Sequence, residues 1–219
     1  MAVTTYEAEL ALNQPTQMFK ALGGIIYTSV MSTAIPAAFT ETASASLTQL
    51  DTTLWTRLGL ITKGEGITFS RDISTDDEES WGYAEPTRTD ISADVTSAAF
   101  TLQETKKATL EMYDFVDLSA VTGDATTGEV SYNKATLSAP TYRRMIYMAV
   151  DGAGTDRRYK FKIMPRAQVI AVQDEVWSQS AVTKFPLTVR ATVDPVLGYA
   201  VRNVLAGPGQ KSRNTAAKF

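Results

Sequence analysis

Four consecutive carboxylates, Asp76-Asp77-Glu78-Glu79, are the densest cluster of chemically capable side chains in this sequence. Oxygen donors at such density suit a hard divalent cation such as calcium, which takes about six to eight of them. The run lacks the alternating ligand spacing and central glycine of a calcium loop, so neighbouring side chains point apart. A solvated acidic loop is the better account, and metal ligation is not expected there. Asp151-Gly152-Ala153-Gly154-Thr155-Asp156 sets two carboxylates around glycines, but as a turn between strands it needs no ion. Glycoside hydrolysis requires two carboxylates about 5–9.5 Å apart across a cleft. Glu85 with Asp90, or Glu104 with Glu111, are the available pairs, and nothing in the sequence singles them out. Trp55, Trp81 and Trp177 offer sugar-stacking faces, although core or interface packing is the commoner use of tryptophan.

Missing residue types exclude more. The 219 residues include no cysteine and no histidine, which removes thiolate nucleophiles, disulfides, imidazole bases and the usual zinc ligands together. No G-x-S-x-G, phosphate-binding loop or dinucleotide fingerprint occurs. The expectation is a protein that is not an enzyme, with no cofactor, no metal and no catalytic residue.

Charge is unevenly spread. Residues 1–130 hold 19 of the 24 Asp/Glu and 7 of the 21 Lys/Arg, leaving 5 and 14 in residues 131–219. An acidic first part argues against a surface that grips duplex DNA, because phosphate binding needs clustered Lys/Arg. The bases of the second part are distributed along strands and read as a solvated or subunit-facing surface. Residues 1–10 have no basic, then apolar, signal pattern. Residues 21–40 carry no charge, but Gly23, Gly24, Pro36 and five hydroxyl residues interrupt them. A strand followed by a loop is expected there, and a soluble chain without membrane binding.

The elements that must position these residues are mostly strands. Ile67, Phe69 and Ile73 alternate with Thr68, Ser70, Asp72 and Ser74; Ile91, Ala93 and Val95 alternate with Asp90, Ser92, Asp94 and Thr96. Each arm has one apolar and one polar face, as in a sheet packed on one side. Residues 75–88 then form a connection far longer than the usual two to about five residues of a hairpin. One helix is expected over residues 106–116, capped by Thr105 and burying Ala108, Met112, Phe115 and Val116. Strands follow over residues 142–150, 158–164 and 168–172, the last two belonging to one long strand. A final strand begins near Phe185, with Pro186 marking an edge or the first residues of a strand. The fold class is therefore mostly β: an antiparallel β-sandwich or partly closed barrel with one flanking α-helix. Residues 1–20 form an amino-terminal arm, 21–205 the β domain and 206–219 a tail; alone, both ends would fray.

Several stretches together resemble a known family. They are Leu58-Gly59-Leu60-Ile61-Thr62, Gly66-Ile67-Thr68-Phe69-Ser70-Arg71-Asp72, Trp81-Gly82, Glu85-Pro86-Thr87-Arg88 and Phe100-Thr101-Leu102-Gln103-Glu104-Thr105-Lys106. Tyr142-Arg143-Arg144, Asp151-Gly152, Arg158-Tyr159-Lys160-Phe161 and Met164-Pro165-Arg166-Ala167 continue the series. In order and spacing they look like the major tail proteins of siphophages, especially those infecting actinobacteria, over about residues 55–200. Residues 1–50 depart from the pattern. The resemblance implies a tail-tube sandwich whose hexameric rings share a continuous inner β-barrel and stack into a hollow conduit. It implies as partners further copies of the chain, a tape-measure protein in the lumen, tail terminator and baseplate or distal tail proteins, and double-stranded DNA in passage. The protein would be made in the host cytoplasm and reside in the virion tail. A tube of a contractile tail or secretion system, and a monomeric carbohydrate-binding or virion-decoration sandwich, are the alternatives.

Two sets of residues follow as candidate sites. Thr68, Ser70, Asp72, Ser74, Asp90, Ser92, Asp94 and Thr96 are expected to share a lumen-facing, acidic wall that repels DNA. Asp76, Asp77, Glu78, Glu79, Trp81, Tyr83 and Arg88 are expected in a loop that docks on an adjacent ring, with Trp81 as its anchor.

Overall fold

The computed structural model describes residues 4–137 and 139–219, so the first three residues of the expected arm lie outside the described residues. In chain order the elements are α1 (Tyr6–Leu10), β1 (Gly23–Ser29), β2 (Thr56–Arg57), β3 (Ile67–Glu78), β4 (Arg88–Leu102) and α2 (Lys107–Asp114). β5 (Arg143–Asp151), β6 (Arg158–Val172), β7 (Phe185–Thr192), β8 (Arg202–Ala206) and α3 (Pro208–Arg213) complete them, with 3-10 turns at Pro15–Gln17 and Gly154–Asp156. The strands form one antiparallel sheet in the order β2-β1-β5-β6-β7-β4-β3, and β8 also pairs with β6.

β6 is the single long strand that two alternating runs implied. Its first part pairs with β5 and β8, and residues 166–172 pair with β7. Pro165 cannot donate to a ladder, and it lies where the β5 register shifts, between the Met145↔Met164 and Arg143↔Ala167 pairs. Pro186 stands at the second position of β7, opposite Thr101, in a strand that lies between β6 and β4 and is not an edge.

The sheet folds back on itself. Phe69 of β3 meets Tyr147 of β5 edge-on at 5.2 Å between ring centroids, and Phe100 of β4 approaches the same ring at 6.0 Å. Ile26, Met145, Met164, Leu187 and Val189 fill the space between the halves. Ala108 and Met112 of α2 close one side of this core. Lys106, in extended backbone and without a side-chain cap, precedes α2, so Thr105 stands one residue too early to cap it. Phe115 ends the helix in the left-handed region at φ 55°. The opposite face of β1, β5 and β6 carries Tyr27, Ile146, Met148, Phe161 and Ile163. The connection between β1 and β2 covers it, stacking Phe39 on Phe161 at 4.5 Å and burying Trp55. β1 is thus buried on both faces, which is why its run is apolar without alternation.

β2 and β3 end the strand order without joining, so the sandwich is one curled sheet and not a closed barrel. Residues 202–213 are built into the body as β8 and α3. A backbone N–H from Gly209 donates to Arg157 O at 3.0 Å, and Arg213 reaches Asp156 at 3.4 Å. A Cβ at Gly209 would overlap the Asp156 carbonyl, so only glycine permits this approach of α3.

Candidate functional site

β3 and β4 outrun the rest of the sheet. β7 supports β4 only from Ser97 to Leu102, and every residue from 71 to 94 is exposed. The result is a two-stranded arm rooted at Phe69, whose ring packs on Tyr147 and lies 4.3 Å from the Lys162 ammonium. Nine residues at about 3.4 Å each put Glu78 about 30 Å beyond that root.

The ladder continues to Glu78↔Arg88, so residues 75–78 and 88 of the expected connection over residues 75–88 are strand and the turn is residues 79–87. Thr87 N–H donates to Glu78 O at 2.9 Å to close it. Strand was not visible there because Thr75-Asp76-Asp77-Glu78 holds no apolar residue, and without one there is no period-two signal.

Register also corrects the expected polar face. Directly paired residues share a face. Thr68, Ser70, Asp72 and Ser74 pair with Ala99, Ser97, Val95 and Ala93, whereas Asp94 and Thr96 pair with Ile73 and Arg71. The eight residues therefore do not form one surface: Asp94 and Thr96 lie on the side of Phe69 and Ile73. Between the Ser74↔Ala93 and Thr75↔Ile91 pairs, Ser92 is an extra residue in a β-bulge, and Asp90 then sits opposite Asp76. Polarity within each strand suggested a face, but pairing between the strands decides it. Asp94 tolerates its apolar side because Arg71 forks onto it at 2.8 and 2.6 Å. That hydrogen bond holds the Asp94 carboxyl below its usual range.

The face of Thr68, Ser70, Asp72 and Ser74 extends across β4 onto β7, where Thr188 is opposite Ala99 and Arg190 opposite Ser97. On β6, Gln168 is opposite Arg190. This four-stranded surface is hydroxyl-rich and carries both Asp72 and Arg190, so its charge is mixed and not uniformly acidic. Its two outer edges, β3 on one side and residues 168–172 of β6 on the other, have no strand partner among the described residues. Ile73 and Ile91, on the arm's other face, are exposed.

At the tip Trp81 and Tyr83 stand in solvent, so Trp81 contributes nothing to the core of its own subunit. Asp77 accepts a hydrogen bond from the Thr89 hydroxyl at 2.6 Å, and Arg88 pairs with Asp90 at 2.7 Å. Asp76, Asp77, Glu78 and Glu79 do not converge: among the described residues no group of three or more Asp/Glu could hold a metal ion. Of the carboxylates considered for hydrolysis, Asp90, Glu104 and Glu111 are tied up separately. Glu104 accepts from Leu60 N–H at 2.7 Å and pairs with Lys106, while Glu111 binds Arg143 at 2.8 Å. Trp177 is exposed on the β6–β7 connection, donating to Glu175 at 2.7 Å. No helix among the described residues is long and apolar enough to cross a membrane.

One functional residue escaped sequence reasoning. Buried Arg158 pairs with Asp151 at 2.5 Å, donates to the carbonyls of Thr16, Gln17 and Met18, and lies over the Phe19 ring. Asp151 also accepts Lys20 N–H at 3.1 Å, and that bond, followed by Arg158, holds its carboxyl below the usual range. The pair pins the root of the amino-terminal arm, while α1 buries none of its residues. No motif announces such a role; only the cross-strand pairing of Asp151 with Arg158 does.

No curated protein matches the chain. Residues 10–195, which include β1 to β7 with the hairpin arm and the polar sheet face, match the family described as phage tail tube protein. A curled antiparallel sheet with an outrunning hairpin and, among the described residues, unpaired edges and no cluster of metal-ligating groups is consistent with a structural role, and the chain belongs to the phage tail tube protein family.

Proposed function

We propose that this chain is the major tail tube subunit of a siphophage, closing into hexameric rings that stack into the conduit for genomic DNA. The observation that carries the reading is the four-stranded section β6-β7-β4-β3, with one polar face and an unpaired edge on each side. Such edges invite pairing with another chain. β3 of one copy against residues 168–172 of β6 in the next would satisfy both and join the polar faces into a continuous inner barrel. The contact is heterologous, and a rotation that closes on itself turns it into a ring. Thr68, Ser70, Asp72, Ser74, Ser97, Thr188 and Arg190 would then line the lumen. Hydroxyls and balanced charge give passing DNA few phosphate-gripping sites, since retention needs clustered Lys/Arg.

The arm leaves the body at the margin of this section, and its acidic, aromatic tip would dock on an adjacent ring through Trp81. A tape-measure protein would occupy the lumen during assembly, with terminator and distal tail proteins at the ends. Negative-stain microscopy of the purified protein tests the reading. Rings or hollow tubes are expected; a protein that stays monomeric at high concentration and with tail components present would refute it.

A further inference from the structure

We propose that the cavity beneath the connection between β1 and β2 is a binding site for a small organic anion with a compact apolar body, enclosed by Tyr27, Phe39 and Phe161 and anchored by Arg57. It lies on the face of β1, β5 and β6 turned away from the sandwich core, and the assignment does not depend on the tube reading above. The cavity measures about 340 Å³, within the range of about 300–1,000 Å³ that small-molecule sites occupy.

Strand pairing builds the floor. Tyr27 stands opposite Arg57 in the β1–β2 ladder, Ile25 opposite Met148 in β1–β5, and Met148 opposite Phe161 in β5–β6, so these side chains share one face. Phe39 stacks on Phe161 at 4.5 Å, and Thr48 N–H donates to Phe39 O at 2.9 Å, which holds residues 47–50 over the strands as the outer wall. Tyr27, Phe39, Met148 and Phe161 are buried, whereas Leu47 and Arg57 are exposed. The interior is therefore aromatic and apolar, and the rim carries a cation. Met148, unbranched and polarisable, lets the floor adapt to the shape of a ligand.

Charge selects the occupant. The Arg57 guanidinium lies over the Tyr27 ring at 5.5 Å, and among the described residues it has no carboxylate within ion-pair distance. The two acids of residues 30–55 are engaged within their own loop, Glu41 by the Ser44 hydroxyl at 2.9 Å and Asp51 by Thr53 N–H at 2.8 Å. A free arginine at the mouth suits a carboxylate, sulfonate or phosphate, whose oxygens accept its paired N–H donors. Apolar cavities take up apolar bodies, because water finds few partners in them. A cation would be repelled by Arg57, and an uncharged ligand would leave it unpaired.

Dye binding to the intact chain tests it. The probe is anilinonaphthalene sulfonate, and its uncharged control is phenylnaphthylamine, the same rings without the sulfonate. Wild type should bind each dye saturably at one site per chain, and decanoate should displace the sulfonate dye. Arg57→Ala should weaken the sulfonate dye by about tenfold or more and leave the uncharged dye within about twofold. Leu47→Trp, which narrows the cavity, should weaken both. Lys63→Ala removes an exposed cation outside the site and should change neither. Melting within a few degrees of wild type verifies that each variant folds. The proposal is overturned if wild type shows no saturable binding, if Arg57→Ala weakens both dyes equally or neither, or if folded Leu47→Trp binds like wild type. Release of the dye as the protein is concentrated would put a second copy in the cavity and overturns it as well. A protein that binds the dye as expected but never forms rings or tubes removes the tube reading and leaves this site standing.

Discussion

Replacing Arg158 with alanine should uncouple the amino-terminal arm and weaken the body at once. The guanidinium is buried and serves Asp151, three backbone carbonyls and the face of Phe19. Breaking one half of a buried ion pair costs about 3–5 kcal/mol, because the remaining charge is left without its partner. Asp151 keeps the N–H groups of Lys20 and Gly152, at 3.1 and 2.8 Å, so the low end, about 3 kcal/mol, is the working value. For a chain of this size each kcal/mol moves the melting temperature by about 2–4 °C, giving a drop of about 6–12 °C. The same substitution frees the chain around Lys20, so tryptic cleavage there should quicken by an order of magnitude or more, before the body unfolds. Arg158→Lys, which keeps the charge and loses the fork, should fall between. An Arg158→Ala protein that melts within a degree of wild type, with Lys20 cut no faster, would refute the assignment of Arg158 as the latch.

Four other outcomes follow from the same geometry. Trp81→Ala should leave subunit melting unchanged and reduce polymerisation in sedimentation, since Trp81 touches nothing in its own subunit; a lower melting temperature with normal tubes would contradict it. Asp72→Lys should leave ring formation intact and slow DNA release in phage complementation, by adding a base to the proposed lumen face. Gly59→Ala should cost about 1–3 kcal/mol in chemical denaturation, because φ is +104° and the added Cβ would lie 2.5 Å from the Glu104 carboxyl carbon, displacing its bond to Leu60 N–H. The folded-state pKa of Asp151 is depressed below 3.8, so its contribution is complete above that value and is lost as pH falls through the folded pKa. Titration of Asp151 by NMR should show the low value, and the arm should loosen only below about pH 4.

Elements buried on one face were legible from the residues alone. β7, the helix around Ala108 and Met112, and the long β6 all show the period that a core imposes. Only the outermost rungs of the arm, residues 75–78 with 88–89, were not legible as strand, since they are exposed and hold no apolar residue to alternate. The arm's faces were misassigned because register between the strands, which sets Ser70 opposite Ser97 and Ile73 opposite Asp94, is not written in either strand alone, and the bulge at Ser92 shifts it again. The candidate lumen residues split for the same reason: Asp72 and Asp94 are equally polar in sequence, and only pairing places them on opposite sides. Arg190 entered that face through β7, a strand far away in sequence. The hold of Arg158 on residues 16–18 spans more than a hundred residues, beyond the reach of periodicity.

The pairing of β1 with β5 has a consequence for the order of events as the chain folds. Ser29 must find Arg144, whereas Glu78 finds Arg88 across a nine-residue turn. Closing the longer loop costs about 2 kcal/mol more chain entropy than closing the hairpin, at about 0.6 kcal/mol per doubling of length. Contacts this distant also form slowly. The arm can thus pair transiently, with both of its edges open, while the core that will hold it is still incomplete. A newly made subunit passes through an interval in which it can recruit a neighbour's strand before it can offer a folded body. Crowded synthesis therefore favours whatever shields those edges until β5 has closed on β1, and the rate of that closure sets how long a nascent chain stays vulnerable to pairing out of place.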